Sequence, residues 1–149
     1  MPVANTSPPV AMARPENSPD ERAALRAREL SAATVLVAAV GEIDASNSAR
    51  LLGFVDEHMR GYGQLVLDLS RLKFFGTAGF STLHTINVRC SRHAIDWVLV
   101  AGTEVARVLR VCDPEGALPV AGNIVSGVAT LARGPRRQLA QGPVYLASK

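Results

Sequence analysis

Aromatic residues make up only 5% of this 149-residue chain. The core must therefore be built from aliphatic side chains, as is typical of small sheets packed against helices. The longest wholly apolar run, residues 35–40, is far shorter than the roughly 20 residues that span a bilayer. The N-terminus also lacks a basic segment followed by an apolar one. These absences predict a single cytoplasmic domain with no membrane partner.

Cysteine is equally scarce, because the chain contains only Cys90 and Cys112. The two are not spaced as a CxxC pair, and no histidine is placed to complete a zinc site, so we expect neither a metal nor another cofactor. Cys90 falls on the apolar side of a predicted helix, where packing is its expected role. A disulfide between the two cysteines stays open as an alternative, and it would make the protein redox-responsive.

Charge of one sign is not concentrated along the chain. The 16 basic and 13 acidic residues give a net charge of +3, and the basic residues are scattered. Only Arg133, Arg136 and Arg137 lie close together. This distribution favours a solvated, mildly basic surface, and it makes nucleic-acid binding the weakest of the functional alternatives.

The composition divides the chain into three segments. Residues 1–22 hold five prolines among Ala, Ser and Asn, which predicts a disordered arm. Residues 23–133 carry the patterned apolar runs of one folded domain. Residues 134–149 are expected to form a loose tail, in which Val144, Tyr145 and Leu146 could dock as a small extra strand.

Strand and helix patterns alternate along the central segment. Strands are predicted at residues 24–30, 35–40, 65–69, 95–100 and 118–120. One helix is predicted to begin near Ser46, and three more are predicted at residues 77–92, 103–111 and 123–132. The alternation predicts an α/β fold with a mostly parallel or mixed sheet of about four to five strands and about four helices. The first two strands are expected to form an N-terminal β-hairpin.

The most informative stretch is residues 64–90, QLVLDLSRLKFFGTAGFSTLHTINVRC. Gly76 interrupts the pattern after a buried strand, and Thr77 falls where the N-cap of the next helix is expected. At about 100° per residue, one side of this helix collects Gly79, Leu83, Ile86 and Cys90, while the other collects Thr77, Ser81, His84 and Thr85. Hydroxyl groups thus cluster on an exposed surface at a helix start, where the helix dipole favours a phosphate.

Other polar residues do not complete a catalytic site. Asp44 and Asp68 both follow apolar strand residues, but no nucleophile elbow, phosphate-binding lysine or metal-spaced histidine cluster accompanies them. Turn stabilisation explains both carboxylates better. The histidines at positions 58, 84 and 93 are expected on solvated faces, and Trp97 is expected in packing.

Four segments together resemble the STAS domain, the fold of bacterial anti-sigma-factor antagonists. Residues 41–44 (GEID) resemble the turn before the family's first helix. Residues 67–70 (LDLS) and the following Phe74 resemble the family's apolar approach to its phosphorylation turn, and residues 76–80 (GTAGF) match that turn. Residues 108–120 resemble the closing segment. The resemblance covers residues 24–132.

The resemblance implies a regulatory protein that binds a kinase-type anti-sigma factor and thereby releases a sigma factor for transcription. Thr77 stands in place of the family's phosphoacceptor serine, and Ser81 is the fallback site. The protein would be a substrate rather than an enzyme, and a monomer. The implied partner-binding residues are Asp44, Ser46, Gly76, Thr77, Ala78, Ser81 and His84.

One position departs from the family pattern. Gly76 occupies the place of the family's usual acidic residue before the phosphoacceptor. A constitutive binding module that has lost phosphorylation is therefore an alternative to the phosphorylation switch.

Overall fold

The computed structural model describes residues 22–134. Its strands are β1 (Ala23–Glu29), β2 (Thr34–Ile43), β3 (Gln64–Phe75), β4 (Asp96–Val100) and β5 (Val120–Ala121). Its helices are α1 (Ser48–Met59), α2 (Thr77–Arg92), α3 (Gly102–Cys112) and α4 (Ile124–Ala132). The expectations for residues 1–21 and 135–149, including the extra strand at residues 144–146, fall outside the described residues.

The strands form one mixed sheet in the order β1-β2-β3-β4-β5. β1 pairs with β2 in the antiparallel direction, and the remaining neighbours are parallel. A turn in which the Leu30 N–H donates to the Thr34 carbonyl at 2.8 Å closes the hairpin. The predicted α/β fold with an N-terminal hairpin and a mixed sheet is confirmed.

The topology decides which face each helix covers. From β2 onward each parallel strand is added on the same side of the one before it, so right-handed crossovers carry α1, α2 and α3 to one face of the sheet. The main core lies there, and it includes Leu51 of α1, Leu83 of α2 and Val105 of α3. α4 follows the last strand and packs on the opposite face through Leu131.

β3 is longer than the sequence predicts. Its first part, residues 65–69, is buried as expected for a strand covered on both faces, but pairing with β2 continues to Phe75. The sequence hides this extension because Ser70, Arg71 and Lys73 interrupt the apolar run. Register shifts in the β2–β3 pairing realign the strand, so that Leu72 and Phe75 reach the core although they lie three residues apart.

No helix within residues 22–134 is long and apolar enough to cross a bilayer. Over the same range, no cluster of three or more His, Cys, Asp or Glu side chains is arranged to hold a metal ion.

Candidate functional site

The start of α2 lies at the sheet edge where the parallel strands end. Gly76 is extended, with φ −93° and ψ 176°, and it is the N-cap of α2, so that Thr77 is the first helical residue. The prediction of Thr77 as the N-cap is therefore wrong by one position. The Gly79 N–H donates to the Gly76 carbonyl at 2.9 Å and closes the first turn. Because glycine has no side chain, α2 begins without a side-chain cap.

The Thr77 side chain is exposed, and its hydroxyl forms no hydrogen bond with any residue in the 22–134 range. The first turn of α2 also contains no acidic residue. The positive end of the helix dipole thus faces no acidic side chain of its own first turn, and a phosphate on Thr77 would be stabilised there in the free protein.

The two faces of α2 divide as the helical spacing predicts. Gly79, Leu83, Ile86 and Cys90 are buried, whereas Ser81 and His84 are exposed and Thr85 is partly buried. Thr82 is buried as well, and its hydroxyl donates to the Ser48 carbonyl of α1 at 3.3 Å.

Gly79 fixes the distance between α2 and the sheet. A Cβ atom at this position would lie 2.4 Å from Cε1 of Phe75, which is too close for any real side chain. Glycine therefore allows the first turn of α2 to lie directly on the Phe75 ring. This contact determines where Thr77 is presented.

The loop between β2 and α1 lies beside the start of α2, because the Gly76 N–H donates to the Ile43 carbonyl at 3.0 Å. Asp44 organises this loop. Its Oδ1 accepts from the Ser46 N–H at 2.9 Å and from the Ser46 hydroxyl at 2.7 Å. Arg22 forms an ion pair with Asp44 and donates to the Ser46 hydroxyl at 3.1 Å. Asp44 thus stabilises a turn, as the sequence indicates.

Asn47 also holds this loop, and the sequence reasoning missed it. Its side chain is only 1% exposed, accepts from the Asp44 N–H at 2.9 Å, and donates to the Glu42 carbonyl at 2.9 Å. Asn47 rather than Ser46 is the N-cap of α1, although its side chain does not cap the helix. An amide after an Asp-containing turn is a weak signal for this role.

Phe74 is a second residue that the site contains and the sequence reasoning did not select as partner-binding. Its side chain is 46% exposed, and its ring lies beside Gly76, where a Cβ would be 3.3 Å from Cε2 of Phe74. An exposed aromatic ring next to the start of α2 is the kind of side chain that anchors protein interfaces.

The structure brings together most of the predicted partner-binding residues. Asp44 and Ser46 lie in the loop bonded to Gly76, and Thr77 follows directly. Ala78, Ser81 and His84 continue along the first turns of α2, although Ala78 is partly buried.

Asp68 does not belong to this group. It lies inside β3 rather than at a strand end, about 20 Å along the strand from Phe75 and the Asp44 loop. Its Oδ1 accepts from the Ser70 N–H at 3.0 Å and from the Ser70 hydroxyl at 2.6 Å. Asp44 and Asp68 therefore do not form a catalytic pair.

The two cysteines are free thiols in different surroundings. Cys90 is buried in the main core, and Cys112 at the end of α3 is partly exposed. Burial, with smaller contributions from Asp56 and Asp96, raises the pKa of the Cys90 thiol to about 12. Such a thiol forms little thiolate at neutral pH, so its setting is that of a packing residue.

Comparison with known proteins identifies relatives of this fold. Osmosensory protein A of Mycobacterium tuberculosis is 36% identical over 105 residues, and the aligned region covers 66% of this chain and 66% of that relative's length. An anti-sigma factor antagonist from Mycobacterium paratuberculosis has a similar structure, with a TM-score of 0.68 and 18% identity over 78% of this chain and 99% of that one. SpoIIAA, an anti-sigma factor antagonist solved in its unphosphorylated form, gives a TM-score of 0.62 and 13% identity over 76% of this chain and 100% of that one.

The solved structures establish the likeness of fold, and the family assignment rests on sequence. The sequence profile of the STAS domain matches residues 25–124, which include all of the site described above except Arg22. The chain therefore belongs to the STAS domain family.

Proposed function

We propose that this protein is an anti-sigma-factor antagonist of the cytoplasm, which binds a kinase-type anti-sigma factor and thereby releases a sigma factor. The observation that carries the proposal is the exposed hydroxyl of Thr77, which has no hydrogen-bond partner among residues 22–134, at the start of α2, which no side chain of that range caps. The fold is shared with two anti-sigma factor antagonists, one of which was solved in its unphosphorylated form. That shared fold supports the proposal.

The proposed surface consists of the first turns of α2 and the β2–α1 loop, including Asp44 and Ser46. Its loop is held rigid by Asn47 and by the Arg22–Asp44 ion pair, so little ordering is needed when a partner binds. Phe74 supplies exposed apolar area beside Thr77.

Phosphorylation of Thr77 is proposed to control this surface. A phosphate adds a charge of about −1.5 to −2, which the start of α2 tolerates in the free protein. In the complex the same charge would have to be desolvated against the partner surface, which opposes binding. Release of the partner would then report phosphorylation.

Phosphosite mapping tests the switch. Candidate kinase-type anti-sigma factors are captured with the wild-type chain, and each captured partner is incubated with ATP and the chain before mass spectrometry. We expect phosphate on Thr77 and its loss in Thr77→Ala, whereas Ser81→Ala serves as the matched control and keeps the modification. Phosphate found only on Ser81 would mean that Ser81, one turn further along α2, is the phosphoacceptor instead of Thr77.

A constitutive binding module is the second candidate function, and Gly76 favours it because the carboxylate usual in the family is missing there. The substitution Gly76→Asp separates the two candidate functions. The backbone permits it, because a φ of −93° at position 76 is accessible to any residue. We expect faster phosphorylation of Thr77 in this variant if a carboxylate assists the transfer. Binding by the wild-type chain without any phosphorylation would favour the constitutive module.

The redox alternative is opposed by the setting of Cys90. Because its thiol pKa is raised to about 12, alkylation by iodoacetamide near pH 8 should modify Cys112 well before Cys90. Rapid alkylation of Cys90 in the folded chain, or a disulfide that forms on mild oxidation, would restore the redox alternative.

A further inference from the structure

The face of the sheet opposite α1, α2 and α3 is only partly covered. α4 packs there over Leu36, Val66 and Val98. It leaves β1 and residues 38–40 of β2 without a covering helix. The uncovered part forms a groove of about 620 Å³ beside α4. Its floor is apolar: Leu36, which α4 covers, lies at one end, and Ala38 and Val40 continue along β2, with Val40 39% exposed.

Three arginines border this groove, which we call the arginine groove. Arg26 and Arg28 lie on β1, and Arg71 lies on β3 opposite Val40. None of the three forms an ion pair or a hydrogen bond with any residue between 22 and 134. Their charges are thus not neutralised by the described part of the protein, in contrast to those of Arg22 and Arg89.

Asp68 adds one buried carboxylate to the groove lining. Ala38 of β2 pairs with Asp68 of β3 on one side and with Arg26 of β1 on the other. Asp68 is only 7% exposed. Its Oδ1 is occupied by Ser70, but its Oδ2 accepts no hydrogen bond from any described residue. Because Asp68 lines the groove, this acceptor oxygen can receive an N–H group of a bound ligand.

We propose that the arginine groove binds an extended, acidic peptide segment of a partner protein. Arg26 and Arg28 project from the same face two residues apart, which places them about 6.8 Å from each other along β1. Alternate side chains of an extended peptide have this same spacing, so two acidic side chains of the segment match the two arginines.

The remaining features of the groove fit the same ligand. Intervening backbone N–H groups can donate to Asp68, and small apolar side chains cover Ala38 and Val40. A phosphodiester backbone would bring only acceptors to Asp68, so a peptide fits better than a nucleic acid. The groove lies on the opposite sheet face from α2, and this inference is therefore independent of the function proposed for Thr77.

Fluorescence anisotropy with defined probes tests the proposal on the full chain. The first probe is a labelled, end-blocked peptide of alternating glutamate and valine, about ten residues long to match the span of β1 and its turn. The second replaces each glutamate with lysine, and the third is a single-stranded thymidine oligonucleotide of similar length. Arg26→Gln/Arg71→Gln removes two groove charges, and Arg60→Gln/Arg92→Gln removes two exposed charges outside the groove as the matched control.

We expect the acidic peptide to bind the wild-type chain and the control variant with affinities within about twofold of each other. The groove variant should bind at least about tenfold more weakly, and the lysine peptide should not bind. Circular dichroism and thermal melting confirm that both variants are folded.

Three results would overturn the proposal. One is equal weakening by the groove and control variants, which would indicate attraction by net charge alone. Another is equal or tighter binding of the oligonucleotide at the same residues, which would indicate a nucleic-acid site. In the last, the wild-type chain does not bind the acidic peptide. This result would overturn the proposal whether the groove stays empty or is filled by the chain's own terminal segments or by a second copy.

Discussion

Two helices of this protein begin in opposite ways. α4 starts with a complete capping box, in which Asn123 accepts from the Ser126 N–H at 2.8 Å and the Ser126 hydroxyl accepts from the Asn123 N–H at 3.3 Å. α2 starts at Gly76 with no side-chain cap, and the Thr77 hydroxyl beside it forms no hydrogen bond within residues 22–134. We call the start of α4 the closed helix start, because its own side chains cap it, and the start of α2 the open helix start, because no side chain of the described residues caps it.

The difference indicates what each helix start is for. A capping box satisfies backbone donors and stabilises a helix, which suits the short α4 on a sparsely covered sheet face. The α2 start is held instead by the close approach of Gly79 to Phe75 and by the bond from Gly76 to Ile43. Stability there comes from packing, and the polar groups stay available to a partner or a phosphate.

The largest expected effect comes from the packing that holds α2. Gly79→Val would place side-chain atoms into the Phe75 ring and should lower the free energy of unfolding by about 1–3 kcal/mol. Gly53→Val is the matched control, because Gly53 lies in helix α1 and a Cβ atom added there would meet nothing within 4 Å. Urea denaturation measures both. Gly53→Val should stay close to wild-type stability. If Gly79→Val did so as well, the position of α2 on the sheet would be wrong.

A smaller loss is expected at the closed helix start. Asn123→Ala removes the capping hydrogen bond to Ser126 and should destabilise the protein by about 1 kcal/mol. Thermal unfolding followed by circular dichroism measures the change. A stability equal to that of the wild-type chain would mean that the capping box contributes nothing, and the contrast between the two helix starts would lose its energetic basis.

The smallest effect is expected at the open helix start. Thr77→Ala removes an exposed hydroxyl that caps nothing, so the free energy of unfolding should change by less than about 0.5 kcal/mol. The same denaturation experiment gives this value. A loss as large as that of Asn123→Ala would show that Thr77 does stabilise α2, and its role would then be structural.

The sequence predicts the orientation of α2 because an amphipathic helix repeats its apolar positions regularly, and Gly79, Leu83 and Ile86 are buried as expected. It does not predict the helix cap, since Gly76 and Thr77 are both acceptable at that position and the backbone of the preceding strand decides between them.

Residues whose roles depend on loop geometry or on strand register were harder to predict. The buried Asn47 side chain bonds the backbone of Asp44 and Glu42, three and five residues before it, and an amide after an Asp-containing turn is only a weak signal for that pairing. The exposure of Phe74 depends on register shifts between β2 and β3, which periodicity cannot reveal. The β-hairpin and the alternation of strands and helices were predictable because each depends on local pattern and topology rules.

The binding affinity of a captured anti-sigma factor for the wild-type, Thr77→Ala and Thr77→Glu chains tests the central claim most directly. Ser91→Glu is the matched control, since it places the same charge at the other end of α2, about 21 Å from Thr77. By calorimetry, we expect wild type, Thr77→Ala and Ser91→Glu to bind within about twofold of one another, and Thr77→Glu at least about tenfold more weakly. Equal affinities for all four chains would place Thr77 outside the interface and contradict the phosphorylation switch.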